Sequence, residues 1–427
     1  MPLASVIFCS GIGNTDPNRE SDQEGVAAHS REFWKDNVLF GLASLIAGLF
    51  NYLYHVLLAH VLGPDRYGDL ATFLDVTAFL VLPGPVITLL YTRLGRRDRK
   101  RAPRESWLLW LSGSALWIFL MLCSPALARM LHVSALLLIV FTLEVVPSLA
   151  LAANIGILQR VRRYLWVGFL TVLVAAFRVV AATMAAVFHV YPLFFVGLLE
   201  GFAAFVAFAV SRGWATKAPW VGETSKAGVI SGTAVVGVIN VVMAIADGLL
   251  AKHVLNPLAA GQYMGMATIG HTVQFLSGSF GTVMLTSIIA APSRRLRFLG
   301  LTVGVYAGLA GVAESIFLAR GVWVISVVLG RHFIPVVAWL SYYGWGMIAL
   351  GLINIAMLYS VALKRWEAIA TTALGLVIWL WRLAVSHNIG ALTRATTVTM
   401  GATLLVTAVV VLLVELQEDI RGERVRA

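Results

Sequence analysis

Twelve apolar stretches, each long enough to cross the roughly 30 Å hydrocarbon core of a bilayer, recur along this 427-residue chain. Charged residues make up 12% of the sequence, whereas a water-soluble domain carries roughly 25%. The pattern predicts an all-α polytopic membrane protein with about twelve transmembrane helices. We place these helices at residues 37–62, 69–90, 105–128, 133–158, 164–188, 191–211, 226–249, 262–291, 298–319, 335–363, 368–386 and 389–414.

Positive charge is distributed unevenly among the gaps between these stretches. If the N-terminus is cytoplasmic, 24 lysines and arginines fall on the cytoplasmic side and 5 on the opposite side. This asymmetry follows the positive-inside rule and predicts that both termini are cytoplasmic. The net charge of +11 therefore reflects topology, so nucleic acid is not expected as a partner. The basic cluster at 93–104 also fits contact with anionic membrane lipids.

The sequence lacks the motifs of several enzyme classes. Its two cysteines, Cys9 and Cys123, have no metal-ligand spacing, and no Walker A pattern for ATP hydrolysis is present. All gaps on the outer side are short, whereas catalysis on an extracytoplasmic glycan usually needs a folded domain or a long loop there. We therefore expect no enzyme activity, no metal and no cofactor, apart from a coupling proton or Na⁺.

The two halves of the chain repeat each other weakly. HVLGP at 60–64 matches HVLNP at 253–257 with an offset of 193 residues, and RRY at 162–164 matches KRW at 364–366 with an offset of 202. Two parallel halves of six spans each are expected to enclose a substrate site between them. The predicted organisation is an N-terminal cytoplasmic tail (1–36), a first six-helix bundle (37–211), a cytoplasmic linker (212–225), a second bundle (226–415) and a C-terminal cytoplasmic tail (416–427).

Two motifs carry a family resemblance. LGPDRYG at 62–68 and ILQRVRRY at 157–164 resemble the Wzx-type polysaccharide-biosynthesis flippases of the multidrug/oligosaccharidyl-lipid/polysaccharide (MOP) superfamily. The resemblance implies a V-shaped pair of six-helix bundles in the bacterial inner membrane. It implies as cargo an oligosaccharide on undecaprenyl pyrophosphate, moved from the cytoplasmic to the periplasmic leaflet for polysaccharide or lipopolysaccharide synthesis. Other polysaccharide-assembly proteins are expected as partners.

Ionisable side chains inside membrane spans are costly and are therefore candidates for function. Arg178 and Arg382 lie in the fifth helix of each half, at an offset of 204, and are predicted to draw a pyrophosphate from both sides of the cavity. Arginine suits this task because its guanidinium can bind two phosphate oxygens at once. The alternative is that each arginine pairs with Glu144, Glu200 or Glu314 and holds helices together. The other predicted cavity residues are Arg394, Asn51, His55 and Asn240.

Asp247 is the main candidate for binding a coupling proton or Na⁺. It shares one face of the seventh helix with Asn240, and an interhelical hydrogen bond is the alternative role. His271 is a further candidate because histidine can change charge near neutral pH, with a packing role as its alternative. Helix breaks are expected near Pro147 and in the run LPGP at 82–85. The remaining predicted ion-coupling residues are Asp75, Glu144 and Glu314.

Three functional hypotheses follow. The first is a flippase for a lipid-linked oligosaccharide that works by alternating access. The second is an ion-coupled multidrug or metabolite antiporter of the same superfamily, for which an acidic cavity is expected. The three arginines within spans favour the flippase. The third is a membrane glycan polymerase, ligase or glycosyltransferase, which the short outer gaps and the lack of a DxD-type site disfavour.

Overall fold

The chain is entirely helical in the part that the structure describes. This computed structural model describes residues 17–93, 102–161, 163–188, 191–215, 228–290 and 292–426. Two short 3₁₀ helices, Pro292–Arg294 and Arg331–Val336, precede α10 and α11. The α-helices are α1 (Pro17–Leu80), α2 (Pro83–Arg93), α3 (Ala102–Leu131), α4 (Ala135–Thr142), α5 (Val145–Arg160), α6 (Tyr164–Val187), α7 (Pro192–Ala215), α8 (Gly228–Val254), α9 (Pro257–Ala290), α10 (Arg295–Val328), α11 (Val337–Ala362), α12 (Glu367–Ala384) and α13 (Ile389–Arg426).

Ten segments of the described residues are long and apolar enough to cross a membrane. The longest, Leu42–Thr92, has 51 residues, more than twice the roughly 20 that one crossing requires, and a kink at Gly63 divides it. Large apolar side chains such as Leu122, Leu405 and Trp381 face outward, as lipid contact requires. The chain is therefore a multi-pass membrane protein, as predicted. The count of twelve spans and the cytoplasmic position of the termini stay predictions.

The turn after the first span is built differently in the two halves. In α1, Gly63 has φ 68° and ψ 175°, which a residue with a Cβ rarely adopts, and Pro64 restarts the helix. In the second half, α9 begins at Pro257, and the side chain of Asn256 accepts a hydrogen bond from the backbone N–H of Ala259 at 2.9 Å. Asn256 is therefore a helix N-cap. The two repeats therefore differ at this position: the first turn uses the left-handed φ of Gly63, and the second uses the side chain of Asn256 as a helix N-cap.

The two halves pack against each other at these turns. Gly68 and Gly261 are related by the offset of 193 residues, and a Cβ on Gly68 would lie 2.8 Å from the Cα of Gly261. A Cβ on Gly261 would collide with the carbonyl oxygen of Pro64. Direct contact between a residue and its repeat equivalent is typical of a two-fold axis. The ion pair between Lys252 and Asp69, at 2.6 Å, joins the halves at the same end.

Two helix breaks occur where the sequence predicts them. α1 ends at Leu80 and α2 begins at Pro83, within the LPGP run. α4 ends at Thr142 and α5 begins at Val145, three residues after the last helical position of α4. Proline favours such breaks because it lacks a backbone N–H and clashes with the preceding turn. Glu144 is therefore held at a turn between two helices and not within a continuous one.

The helix ends differ from the predicted domain boundaries. α1 begins at Pro17, inside the predicted N-terminal tail, and α13 continues to Arg426, through the predicted C-terminal tail. Most of the predicted linker, residues 216–225, lies outside the described residues, as do residues 94–101 of the basic cluster.

A charge cluster fixes the last helix to the second half. Glu415 on α13 accepts hydrogen bonds from Arg295 at 2.9 Å, Arg365 at 2.5 Å and the hydroxyl of Tyr359 at 2.8 Å. Glu418, one turn further along, pairs with both arginines. The sequence assigns these two arginines only to topology. The structure gives them a second task, which is to join the start of α10 and the α11–α12 turn to α13.

Candidate substrate cavity

A cavity of about 960 Å³ lies between the two halves. Its walls come from α1, the α4–α5 turn, α5, α6 and α7 on one side and from α8 and α9 on the other. The contacts of Gly68 with Gly261 close one end. Toward the opposite end, the lining residues Leu45, Leu49 and Phe275 are 71%, 63% and 60% exposed, so the cavity is continuous with the apolar outer surface.

The cavity wall is mainly apolar, and its charged groups come from both halves. All of its Asp, Glu, Arg and His side chains are ones that the sequence predicts for the site, and the predicted Asn51 lines it as well. Among the described residues, no group of three or more His, Cys, Asp or Glu side chains is arranged to hold a metal ion. The charged lining residues are His55, Asp75, Glu144, Arg178, Asp247 and His271.

Arg178 is the centre of a charged cluster in the first half. Its Nη1 donates a hydrogen bond to Oδ1 of Asn51 at 3.1 Å, and its Nε lies 3.6 Å from Oε1 of Glu200. The side chain of Arg178 is 28% exposed, whereas that of Glu200 is 1% exposed. Glu144 interacts electrostatically with both. Arg178 therefore stands between the cavity and a buried carboxylate, so its two proposed roles, cavity residue and helix-pairing residue, coexist in one geometry.

Asp247 is the centre of a second cluster, in the second half, and it is held by hydrogen bonds. Its Oδ2 accepts from the hydroxyls of Tyr343 at 2.5 Å and Tyr263 at 3.1 Å, and its Oδ1 accepts from the backbone N–H of Gly248 at 2.9 Å. Nε2 of His271 lies 3.2 Å from the Tyr343 hydroxyl and 3.9 Å from Asp247 Oδ1. Both the predicted ion site and its alternative, an interhelical hydrogen bond, fit this arrangement.

Asp75 brings a second carboxylate to the Asp247 cluster from the first half. Its side chain packs on Gly248, where an added Cβ would lie 2.6 Å from Asp75 Oδ2. Asp75 and Asp247 interact electrostatically across this contact. Two neighbouring carboxylates repel each other unless one of them binds a proton or the pair binds a cation. This part of the cavity is therefore chemically suited to hold a single positive charge.

His55 takes part in a hydrogen-bond chain that connects the two halves. Its Nδ1 lies 3.1 Å from the hydroxyl of Tyr67, and that hydroxyl lies 3.1 Å from Oγ1 of Thr268 on α9. The ring of Tyr67 also contacts Phe333 edge-on. This chain runs from the cavity wall to the closed end, so His55 supports the contact between the halves as well as lining the cavity.

Two predicted residues lie between helices of the second half and not in the cavity wall. Asn240 donates a hydrogen bond to Asn354 at 2.7 Å, and Asn354 donates to Ser277 at 2.9 Å. Glu314 on α10 accepts a hydrogen bond from Ser341 and packs on Gly344, both on α11. The expected position of Asn240 in the cavity is therefore corrected, and Glu314 is likewise absent from the lining.

The expected pair of cavity arginines is corrected to a single one. Arg382 donates a hydrogen bond to Thr399 on α13 at 3.3 Å, Arg394 is exposed near the start of α13, and neither lines the cavity. The offset of 202 residues at the start of α6 and α12 aligns Arg178 with Leu380. Arg382 lies two residues further on, which rotates it by roughly 200° about the helix axis.

Some residues of the site are not assigned to it by the sequence prediction. Glu200 counts there among the ionisable residues in spans and as a possible ion-pair partner, without a place in the predicted cavity or ion site. Tyr263 and Tyr343 are not among the predicted site residues. A tyrosine in an apolar helix usually indicates packing, so no local signal identifies these two as donors to Asp247.

Comparison with known proteins identifies the fold. No protein-family model and no curated protein matches the sequence. Among solved structures, a lipid II flippase, MurJ, in an inward closed conformation matches with a TM-score of 0.69 and 12% identity over 87% of this chain and 86% of that one. The eukaryotic MATE transporter AtDTX14 matches with a TM-score of 0.62 and 11% identity over 92% and 99%.

A MATE family multidrug resistance transporter of the MOP superfamily, in an outward-facing conformation, matches with a TM-score of 0.52 and 12% identity over 87% and 92% of the two chains. Identities this low indicate a shared fold and do not indicate a shared substrate. The chain therefore has the fold of MOP-superfamily transporters, as its motifs predict.

Proposed function

We propose that this chain flips a lipid-linked oligosaccharide, carried on undecaprenyl pyrophosphate, from the cytoplasmic to the periplasmic leaflet of the bacterial inner membrane during polysaccharide biosynthesis. One observation carries the proposal: the guanidinium of Arg178 lines a cavity of about 960 Å³ between the halves of a MOP-type fold. The fold shared with a lipid II flippase supports the proposal.

The pyrophosphate is expected to bind at Arg178. Arg178 lines the cavity with 28% of its side chain exposed, while Asn51 accepts a hydrogen bond from its Nη1. A planar guanidinium can donate two parallel hydrogen bonds to phosphate oxygens, and apolar walls strengthen such an interaction. The exposed apolar edge at Leu45, Leu49 and Phe275 allows the polyprenyl chain to stay in lipid while the headgroup and sugars enter the cavity.

Transport would follow from rocking of the two halves. In the predicted topology, the Gly68–Gly261 contact is at the periplasmic end, so the cavity in this state receives cargo from the cytoplasmic side. Separation of this contact and approach of the halves at the other end would expose the headgroup to the periplasm. Asp75 and Asp247 approach each other across the two halves, so a proton or Na⁺ bound between them would favour the present state.

An ion-coupled antiporter for a cationic drug or metabolite is the second candidate. The acidic groups of the cavity favour it. Three carboxylates, Asp75, Glu144 and Asp247, line the wall, whereas Arg178 is the only arginine of the described residues that does so. A cationic substrate would bind at Asp75 and Asp247, where two carboxylates meet. The MATE transporters that share the fold support this candidate as well.

A leaflet-transfer assay distinguishes the two candidates. Purified protein is reconstituted into proteoliposomes with a fluorescent undecaprenyl-pyrophosphate oligosaccharide, and a glycan-cleaving enzyme outside reports the fraction that has crossed. We expect transfer with the wild-type protein and at least a tenfold lower rate with Arg178→Ala, which corresponds to about 1.4 kcal/mol. A matched control is Arg382→Ala, which removes an arginine on α12 outside the cavity lining and is expected to keep the wild-type rate.

Equal rates for Arg178→Ala and the wild-type protein would contradict the assignment of the headgroup site. Lack of transfer, together with proton-driven efflux of a cationic dye that depends on Asp75 and Asp247, would establish the antiporter instead. Comparable insertion of all variants in the proteoliposomes is checked first, because loss of folded protein lowers every rate alike.

A further inference from the structure

Glu200 on α7 is an unusual carboxylate because it is buried without a hydrogen bond. Its side chain is 1% exposed, and neither of its carboxylate oxygens accepts a hydrogen bond from the described residues. The hydroxyl of Tyr54 lies close enough to Glu200 to interact with it as a donor, although the two groups do not form a regular hydrogen bond. Among the described residues, Arg178 is the only cation that pairs with Glu200, and its Nε lies 3.6 Å from Glu200 Oε1.

The groups that interact with Glu200 come from three other elements. Tyr54 lies on α1, Glu144 lies in the α4–α5 turn and Arg178 lies on α6, while His55 on α1 interacts with Arg178. Two carboxylates and one guanidinium therefore share the same region. An ionised carboxylate in such a low-dielectric position is strongly unfavourable unless a cation stays beside it.

The same guanidinium faces the cavity where the anionic headgroup would bind. Its side chain is 28% exposed, and it lines the cavity, whereas Glu200 lies behind it and does not. A pyrophosphate that engages Arg178 therefore competes with Glu200 for one positive charge. Once the guanidinium turns toward the phosphate, Glu200 keeps no cation and only the hydroxyl of Tyr54 as a neighbouring donor, and the least costly response is to bind a proton.

We propose that Glu200 is a proton-binding site coupled to the headgroup at Arg178, so that each anionic headgroup that binds is accompanied by one proton taken up from the cavity. The inference rests on the proposed function, because it takes a pyrophosphate as the anion. Glu144 lines the cavity and interacts electrostatically with Glu200, so the proposal includes Glu144 as the carboxylate between cavity water and Glu200.

This coupling means that the headgroup and one proton bind to the first half together and are transported in the same direction. The proton neutralises the charge that Arg178 leaves behind, and it is released when the headgroup leaves and the guanidinium returns to Glu200. An inward proton gradient would therefore oppose export through this site. A driving ion, if used, must bind elsewhere, and Asp75 with Asp247 is the other acidic pair of the cavity.

The test counts protons during binding. Full-length protein in lipid nanodiscs is titrated with farnesyl pyrophosphate by calorimetry in buffers of different ionisation enthalpy. We expect the wild-type protein to take up about one more proton per bound ligand than Glu200→Gln, since protonation of the free ligand is common to both. The affinity of the wild-type protein should also rise up to about tenfold more per unit decrease in pH than that of Glu200→Gln.

Glu314→Gln is the matched control, because it neutralises another buried glutamate that lies between α10 and α11 and outside the cavity lining. It is expected to keep the wild-type proton count. Equal counts for the wild-type protein and Glu200→Gln, with binding preserved, would overturn the inference alone. Absence of farnesyl pyrophosphate binding to the wild-type protein would overturn the proposed function and the inference with it.

A second measurement on the wild-type protein remains informative if Glu200→Gln does not fold. Infrared difference spectra on ligand binding should contain a new carboxylic-acid C=O band. The band should persist in Glu314→Gln. Its absence in the wild-type protein would overturn the inference, because no carboxylate would then have become protonated.

Discussion

Glu200 in the first half and Asp247 in the second are buried carboxylates beside the cavity, and the two halves stabilise them differently; the first half also buries Glu144 there. In the first half, Glu200 accepts no hydrogen bond from the described residues and relies on the nearby charge of Arg178. In the second half, Asp247 accepts hydrogen bonds from two tyrosines and a backbone N–H, with His271 at 3.9 Å. A charge partner can move to a ligand, whereas donors fixed within packed helices cannot.

The difference assigns different tasks to the two halves. An arginine that exchanges its partner links anion binding to the protonation state of its own half. A carboxylate with fixed donors keeps its position while the halves move. Whether it binds a proton or a cation therefore depends on the charged groups that the other half brings close to it. The group that approaches is Asp75, from the first half. Under the proposed function, the first half is thus suited to respond to an anionic cargo, and the second half is suited to respond to contact between the halves.

The largest expected effect comes from removing the charge partner of Glu200. In Arg178→Met, Glu200 and Glu144 remain buried without a cation, and we expect a loss of about 3 kcal/mol in the free energy of unfolding. Chemical unfolding in mixed micelles measures it. The double variant Arg178→Met/Glu200→Gln replaces the buried carboxylate at position 200 with a neutral amide. It should recover at least half of the lost free energy of unfolding. A double variant as unstable as Arg178→Met would contradict the charge-partner role of Arg178.

A smaller effect is expected from removing one donor to Asp247. Tyr343→Phe leaves the carboxylate with Tyr263 and the backbone N–H of Gly248, so we expect a loss of about 1–2 kcal/mol. The same unfolding experiment on Tyr306→Phe is the control, because the hydroxyl of Tyr306 makes only long contacts of 3.5 Å with backbone carbonyls. Equal losses in both variants would show that Asp247 does not depend on this donor.

The smallest effect is expected at Arg382, the arginine on α12 of the second half. Arg382 is half-buried and makes one long hydrogen bond of 3.3 Å to Thr399, so Arg382→Met should change the free energy of unfolding by less than about 0.5 kcal/mol. Unfolding of Arg382→Met beside Arg178→Met measures the contrast directly. A loss as large as that of Arg178→Met would mean that the two halves use their arginines alike.

Much of the site could be predicted from the sequence, because ionisable residues in spans are few and conspicuous. His55, Asp75, Glu144, Arg178, Asp247 and His271 all follow from that rule, and all line the cavity. The rule does not separate them from Asn240, Glu314 and Arg382, which lie in spans as well. The rule says that a polar group in a span needs a hydrogen-bond or ion-pair partner, and a neighbouring helix can supply that partner as well as a substrate can.

The sequence by itself determined the helical class, the multi-pass membrane character and the set of candidate polar residues. These depend on local properties, namely the length of apolar runs and the few ionisable residues within them. The tertiary structure alone decided which candidates meet. Each residue turns a helix by about 100°, so a two-residue shift moves Arg382 away from the cavity, and only packed helices bring Glu200 behind Arg178 and Tyr343 onto Asp247.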